Sequence, residues 1–213
     1  MRTVEIELKF PVDSIAVIEE RIRIAGFLLK TPRTFEANTL YDTGDRRLRA
    51  TGQLLRMRRY GDLWTLTHKA HPEGDDGLPE LRYKRRIETE TQVEDGEALE
   101  AILPQLGYSA VFRYEKWRTE WVQGPGSHEQ GREEAQHAGC LVLDETPIGT
   151  YAELEGAPAW IDQTLIRIGI DPSICITDSY GRLFLAWKQR TGSPATDLTF
   201  DAVLRANAPV GAI

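Results

Sequence analysis

Glu5, Glu7 and Lys9 stand two apart in the stretch Val4-Glu5-Ile6-Glu7-Leu8-Lys9-Phe10. Read with the period of a strand, they share one face, and Val4, Ile6, Leu8 and Phe10 share the other. Ordinarily such a strand turns its apolar face to a core and leaves its charges in water. Here the pattern recurs in at least five later segments. Arg56 and Arg58 alternate in QLLRMRRY, Lys69 shares a face with two threonines in LWTLTHKA, and Lys84, Arg86, Glu88 and Glu90 alternate in RYKRRIETET. Lys116, Arg118 and Glu120 do so in VFRYEKWRTEWV, Asp144 ends CLVLDET, and Glu153 and Glu155 sit two apart in GTYAELEG. Arginine offers a fork to phosphate oxygens and lysine a point charge, so the cations suit a chain of phosphates. The clustered Asp and Glu suit a hard divalent cation, Mg2+ or Mn2+, bound through oxygen. That one face therefore predicts a metal–polyphosphate ligand.

Positioning such residues around one ligand requires the strands to close on themselves. Three amphipathic helices are available to cover the apolar faces. The first is capped by Asp13 or Ser14, carries Ile15, Ile18, Ile22 and Ala25 on one stripe, and stops near Gly26. The second runs from Asp95 to Leu106 with Leu99, Ile102, Leu103 and Leu106 apolar. The third opens at Pro158 with Trp160, Ile161, Leu165 and Ile168. Another helical piece starts near Asp178 and runs through SYGRLFLAWKQ, and Thr34 to Tyr41 reads as a further strand. The expected class is α+β: a closed antiparallel β-barrel with helices packed outside and charges lining the inside. That inverts the usual barrel interior, and its ions need partners from water, opposite charges or ligand. The alternative is a solvated sheet laced with surface salt bridges. The segment 71–80 and the stretch Gly124 to Gly139 read as polar loops, and the chain from Thr191 onward as a loosely held tail.

Length and composition narrow the classes. The 213 residues favour one domain, and 41% hydrophobic with 28% charged residues is ordinary for a globular chain. A net charge of -7 argues against nucleic-acid binding through general basicity. No secretory leader or membrane-length apolar run is evident, and Cys140 and Cys175 have no CxxC spacing. A reduced, cytoplasmic protein with no membrane partner is expected. The spacing of His68, His71, His128 and His137 fits no zinc-protease pattern. There is no Walker A loop, dinucleotide fingerprint or nucleophile elbow.

The residues that carry the alternation also carry a resemblance. EIELK with Glu5, Glu7 and Lys9 is similar to the ExExK signature of the CYTH superfamily, the triphosphate tunnel metalloenzymes. YDT at Tyr41 to Thr43, LRMR, TLTHK, RIETE, EKWRTE, LVLDE, YAELEG and DSYGRL follow in family order over roughly residues 1 to 188. The resemblance implies a tunnel domain of about eight strands over 1–190, with 191–213 as the tail. Carried over by position, Glu5, Glu7, Asp144, Glu153 and Glu155 would bind metal with Glu88 and Glu90 near them. Lys9, Arg56, Arg58, Lys69, Arg86, Lys116 and Arg118 would hold phosphates, and Arg182 would stand near the tunnel mouth. Glu5, Glu7 or Glu153 is expected to take the proton of an attacking water, with Lys116 and Arg118 steadying the leaving diphosphate. Tyr41 is expected either beside Lys116 in the tunnel or as a buried tyrosine with a satisfied hydroxyl.

The implied activity is hydrolysis of inorganic triphosphate, thiamine triphosphate or a nucleoside triphosphate. Two alternatives stay open: a class IV adenylate cyclase and a non-catalytic polyphosphate binder. The expected partner is a small molecule bearing a triphosphate, and pairing into a homodimer is left open.

Overall fold

A computed structural model describes residues 2–72, 82–124 and 139–207. Most of both expected polar loops lies outside the described residues, as do His128, His137 and the last six residues of the chain. Eight strands form a closed barrel in which every neighbouring pair is antiparallel. They are β1 (Arg2–Val12), β2 (Phe27–Thr43), β3 (Leu54–Tyr60), β4 (Leu63–Ala70), β5 (Lys84–Val93), β6 (Tyr108–Gln123), β7 (Cys140–Thr146) and β8 (Gly149–Glu155). Around the barrel they run β1-β5-β4-β3-β2-β6-β7-β8, and β8 returns to β1.

The apolar parity faces outward and is covered. Helix α1 (Ile15–Ile24), capped by the Ser14 hydroxyl, and helix α4 (Pro158–Arg167) lay Ile18, Ile22, Ile161 and Leu165 onto Leu8, Phe10, Leu141, Leu143 and Leu154. All are nearly or wholly removed from water, which stabilises the barrel by roughly 1.5–3 kcal/mol per large side chain. After β2 a single turn forms α2 (Arg47–Ala50). A smaller cluster joins Tyr41 and Met57 to Leu103, which follows helix α3 (Gly96–Ile102). The expected helix over 95–106 changes to a 3-10 turn at Leu103–Leu106. Pro104 has no N–H to give and crowds the carbonyl four residues back. Ile102 and Leu106 consequently face solvent, leaving Leu103 and Leu99 to pack.

Two further expectations are corrected. The strand read over 34–41 begins at Phe27, because Gly26 (φ 83°) ends α1 and the chain turns straight into β2. Pro32 is tolerated inside it because the register with β6 shifts between Leu29, Thr31 and Thr34. The tail is also packed rather than loose as far as it is described. Strand β7 covers β6 only from Trp117 to Val122, so the same edge of β6 is open before that. Leu198 fills it: its N–H donates to the Arg113 carbonyl (2.9 Å) and its carbonyl accepts from the Glu115 N–H (3.0 Å). Ile176 does the same for β1, exchanging two backbone hydrogen bonds with Lys9. Unpaired backbone groups at a strand edge need partners, and these two stitches supply them.

Between the stitches lies α5 (Tyr180–Thr191), followed by α6 (Phe200–Asn207). Phe184, Trp187, Leu198 and Val203 form one cluster with Tyr114 and Tyr180. Leu198 is fully buried, so Leu198→Ala is expected to cost about 2–5 kcal/mol in denaturant unfolding. A change below about 0.5 kcal/mol would mean that the segment after α5 is dispensable to the barrel.

Candidate functional site

Strand register places opposite charges side by side on the inner face. Lys9 stands opposite Glu153, Glu7 opposite Lys84, Lys69 opposite Glu88, Arg118 opposite Asp144, and Glu36 opposite Lys116. Cross-strand neighbours at this spacing interact directly. The side chains meet as the register dictates: Lys9 with Glu153 (2.5 Å), Lys69 with both oxygens of Glu5 (2.7 Å each) and with Glu88 (3.4 Å), and Lys84 with Glu7. These residues line an interior cavity of about 300 Å³. Hollows of similar or larger volume lie on the outside, beside His68 and beside Cys175. Charge rather than volume singles out the interior. Seven cationic side chains (Lys9, Arg56, Arg58, Lys69, Lys84, Lys116, Arg118) face six carboxylates across the cavity.

The interior has two levels. At the deeper one, Glu36 and Asp144 are wholly buried. Arg118 grips Asp144 through two nitrogens (2.7 and 2.6 Å) and reaches Glu153 (2.6 Å), and Lys116 bridges Asp144 (2.9 Å) and Glu36 (3.3 Å). Arg58 approaches Glu36 at 3.0 Å, and the Tyr180 hydroxyl donates to Asp144 at 2.6 Å. Burial acts to raise the pKa of Glu36 and of Glu153, but the surrounding cations outweigh it. Lys116, Arg118 and Arg58 hold Glu36, and Lys9 and Arg118 hold Glu153, well below the carboxylate range. The buried Nε atoms of Arg56 and Arg58 have no hydrogen-bond acceptor among the described residues. Unpaired buried donors of this kind suit an anionic ligand.

The other level is acidic. Glu5, Glu7 and Glu88 each lie close enough to Glu155 to repel its charge. Partial loss of water, together with the charges of Glu5, Glu7 and Glu88, pushes the Glu155 carboxyl up to about 7 against the pull of Lys69. Solvent at this open mouth screens part of that shift. Glu155 makes no ion pair among the described residues. No three His, Cys, Asp or Glu among the described residues are gathered around one point as a ligand set. The donor chemistry nevertheless fits a divalent cation: hard oxygens, mutual repulsion and a carboxyl without a counter-charge.

The structure brings together Glu5, Glu7, Lys9, Arg56, Arg58, Lys69, Glu88, Glu90, Lys116, Arg118, Glu153 and Glu155 around the cavity. Arg86 lies beside them but gives an N–H to the Gly52 carbonyl (3.1 Å). Tyr41 does not face the tunnel. It lies on the outer parity of β2 against Met57 and Leu103, and its hydroxyl donates to Glu100 at 3.2 Å. Arg182 is four-fifths exposed on α5, 3.8 Å from Asp178 and near enough to Arg86 for their charges to repel, while the helix turns its Tyr180 face into the cavity. Asp144 stands apart from the acidic mouth with both oxygens taken by cations and Tyr180.

Sequence reasoning passed over Glu36, Asn38, Lys84, Tyr114 and Tyr180. Lys84 was on the charged parity of β5. Glu36 and Asn38 alternate in TFEANTL, the signal that could have found them. His68 is on the outside, bonded to Gln53 (2.9 Å).

The sequence model of the CYTH domain matches residues 3–157. Among solved structures, a Vibrio parahaemolyticus protein described as a "putative adenylate cyclase" aligns with a TM-score of 0.65 at 16% identity, covering 86% of this chain and 98% of that one. PH1819 from Pyrococcus horikoshii OT3 aligns with a TM-score of 0.65 at 22% identity, covering 85% and 98%. HpAC1 from Hippeastrum, whose structure is described as revealing a dominant triphosphatase activity, aligns with a TM-score of 0.58 at 17% identity, covering 87% and 96%. At these identities the likeness shows a shared barrel fold. No curated protein matches the chain. The sequence match spans most of the chain and includes every barrel strand, and on that ground the chain belongs to the CYTH domain family.

Proposed function

We propose that this protein is a divalent-metal-dependent hydrolase of a small triphosphate, releasing the terminal phosphate. The observation that carries the reading is the cavity in which seven cations face six carboxylates within a closed barrel. Membership of the CYTH family and the activity described for HpAC1 support it. Phosphoryl transfer asks mainly for positioning and charge neutralisation. Lys9, Arg56, Arg58, Lys116 and Arg118 would hold the phosphate chain, with Arg56 and Arg58 offering their unpaired Nε donors. Lys69 and Lys84 would reach its acidic end. Glu5, Glu7, Glu88 and Glu155 would hold Mg2+ or Mn2+, which supplies neutralisation of phosphate charge and a more acidic water.

Of the acids first expected to take the water's proton, Glu153 is poorly suited. Lys9 and Arg118 hold it ionised far below neutrality.

Apolar side chains at one end of the cavity, Leu40, Leu54 and Phe112, favour a triphosphate carrying an organic group over inorganic triphosphate. They also support a second reading, cyclisation of ATP, in which the ribose 3′-hydroxyl attacks the α-phosphorus and pyrophosphate leaves. Product analysis with Mg2+ or Mn2+ and ATP, inorganic triphosphate and thiamine triphosphate in parallel separates these readings. Orthophosphate is the expected product. Cyclic AMP with pyrophosphate would move the assignment to a cyclase, and binding without any product would make the protein a polyphosphate binder.

Glu5→Gln is expected to lower metal-dependent turnover about 100-fold or more, as loss of a charge-stabilising group at a reacting centre does. Full retained activity would remove Glu5 from the metal set. Glu155 generates a pH dependence. Its folded pKa of about 7 lies above the ordinary 4.5, so protonated Glu155 favours the folded chain. That contribution is present at low pH and is lost as the pH rises through about 7. Metal must displace the same proton. The rise in melting temperature caused by Mn2+ should therefore be larger at pH 8 than at pH 6, and Glu155→Gln should level the difference. Equal rises in the unsubstituted protein at both pH values would exclude Glu155 from the metal-binding set.

A further inference from the structure

The cluster behind the phosphate-binding lysines contains a residue that no strand supplies. Tyr180 opens α5, and with Ser179 and Gly181 it lines the cavity. Its hydroxyl donates to Asp144 Oδ2 at 2.6 Å, an oxygen that also accepts from Lys116 (2.9 Å) and Arg118 (2.6 Å). Its ring lies under two ammonium groups, Lys9 Nζ at 4.4 Å and Lys116 Nζ at 4.9 Å from the centroid. Tyr114 stacks beside it, 6.0 Å between centroids, and the Tyr114 hydroxyl accepts from Arg56 (3.3 Å). One aromatic side chain thus touches or adjoins groups from β1, β6 and β7.

We propose that Tyr180 is a positioning residue for the triphosphate: its hydroxyl takes up part of the charge of Asp144, and its ring seats Lys9 and Lys116. The inference rests on the triphosphate-binding reading of the cavity. The direction of the effect follows from competition. A carboxylate that keeps one fewer hydrogen bond pulls harder on its remaining partners, Lys116 and Arg118, and those are the cations the phosphates need. The ring contributes separately. An aromatic face stabilises an ammonium without adding negative charge, so the ring holds Lys9 and Lys116 in place without neutralising them beyond their pairs with Glu153, Asp144 and Glu36. Burial and the neighbouring Asp144 charge raise the Tyr180 pKa well above the tyrosine range, which keeps the hydroxyl a donor.

The test is calorimetric titration of inorganic tripolyphosphate, without metal, into the full chain and into Tyr180→Phe and Tyr180→Leu, with melting temperatures measured alongside. Tyr180→Phe retains the ring and is expected to bind about tenfold more weakly, the loss of one charge-assisted hydrogen bond, with little change in melting temperature. Tyr180→Leu, lacking the ring as well, should bind more weakly still. In an Asp144→Asn background, Tyr180→Phe should have almost no further effect, because the hydroxyl acts through that carboxylate. If Asp144→Asn does not fold, the comparison of Tyr180→Phe with the unsubstituted chain decides. Affinity of Tyr180→Phe within twofold of the unsubstituted chain would overturn the proposal while leaving the triphosphate reading intact. If the unsubstituted chain binds tripolyphosphate only with Mn2+ present, the same comparison is read in Mn2+; failure to bind with or without Mn2+ would overturn both.

Discussion

Charge compensation inside a closed barrel is the constraint on which the rest of this structure depends. Removing an ion from water costs several kcal/mol even after relaxation, and only close, well-directed partners offset it. Glu36 and Asp144 are completely buried, and each is met by at least two cations from neighbouring strands. A one-residue slip of any strand would turn its charges outward and its leucines inward. The ion pairs and the apolar contacts under α1 and α4 therefore demand the same register from opposite sides of the sheet. With Glu36 and Asp144 counted behind the lining, eight acids balance seven cations, so the interior is close to neutral. A triphosphate adds several negative charges to that balance. Its entry is favourable only if cations come with it or carboxylates give up their lysines. On the proposed reading a divalent ion would meet that need at the acidic mouth, where Glu155 makes no ion pair among the described residues.

The two levels of the interior differ in how firmly they are held. Lys116 and Arg118 are fixed by several partners each, so their charges are oriented before any ligand arrives, and preorganised charge is what a phosphoryl transition state uses. The mouth is looser in kind: Glu5 and Glu7 are each held by a lysine on a long flexible stem, and Glu155 makes no ion pair among the described residues. Lysines can exchange a carboxylate for a phosphate at little geometric cost because an ammonium binds as a point charge. The forked contacts of Arg118 cannot be exchanged so readily. Asp144 accordingly reads as the anchor of the cationic level, whereas the carboxylates proposed for the metal are those of the acidic mouth.

Strand parity explains why so much of the barrel could be read from the chain. A period of two is plain when inward charges recur on one parity in strand after strand, and all seven cavity cations lie on that parity, although Lys84 was placed there without being assigned to the site. Tyr41 follows the inward-facing Leu40 and so takes the second of its expected places, buried with its hydroxyl on Glu100. Where another physical rule governed, the reading failed. Glu36 was missed because it is the one charged residue between Thr34 and Tyr41, with Asn38 rather than a second charge beside it. Ile102 and Leu106 fit a helical stripe, but Pro104 altered the helix. Tyr180 lies on a helix, where strand parity says nothing. Its place depends on contacts 66 to 171 residues away in the chain, those with Tyr114 and Lys9.

The C-terminal segment shows how such distant placement is achieved. The family match ends at residue 157, yet Ile176 and Leu198 close the two gaps that β5 and β7 leave along β1 and β6. Each stitch lands beside a residue that adjoins Tyr180: Ile176 pairs with Lys9, and Leu198 with Tyr114. Helix α5 is thereby tethered at both ends to the strands whose side chains its first residue touches. Phe184 and Trp187, one and two turns on, pack with Tyr114, Leu198 and Val203 and fix the rotation of the helix about its axis. With both ends and the rotation determined, Tyr180 faces the cavity and Arg182 faces water. Backbone hydrogen bonding at two strand edges, a requirement of the fold, thus selects which side chain of α5 reaches Asp144.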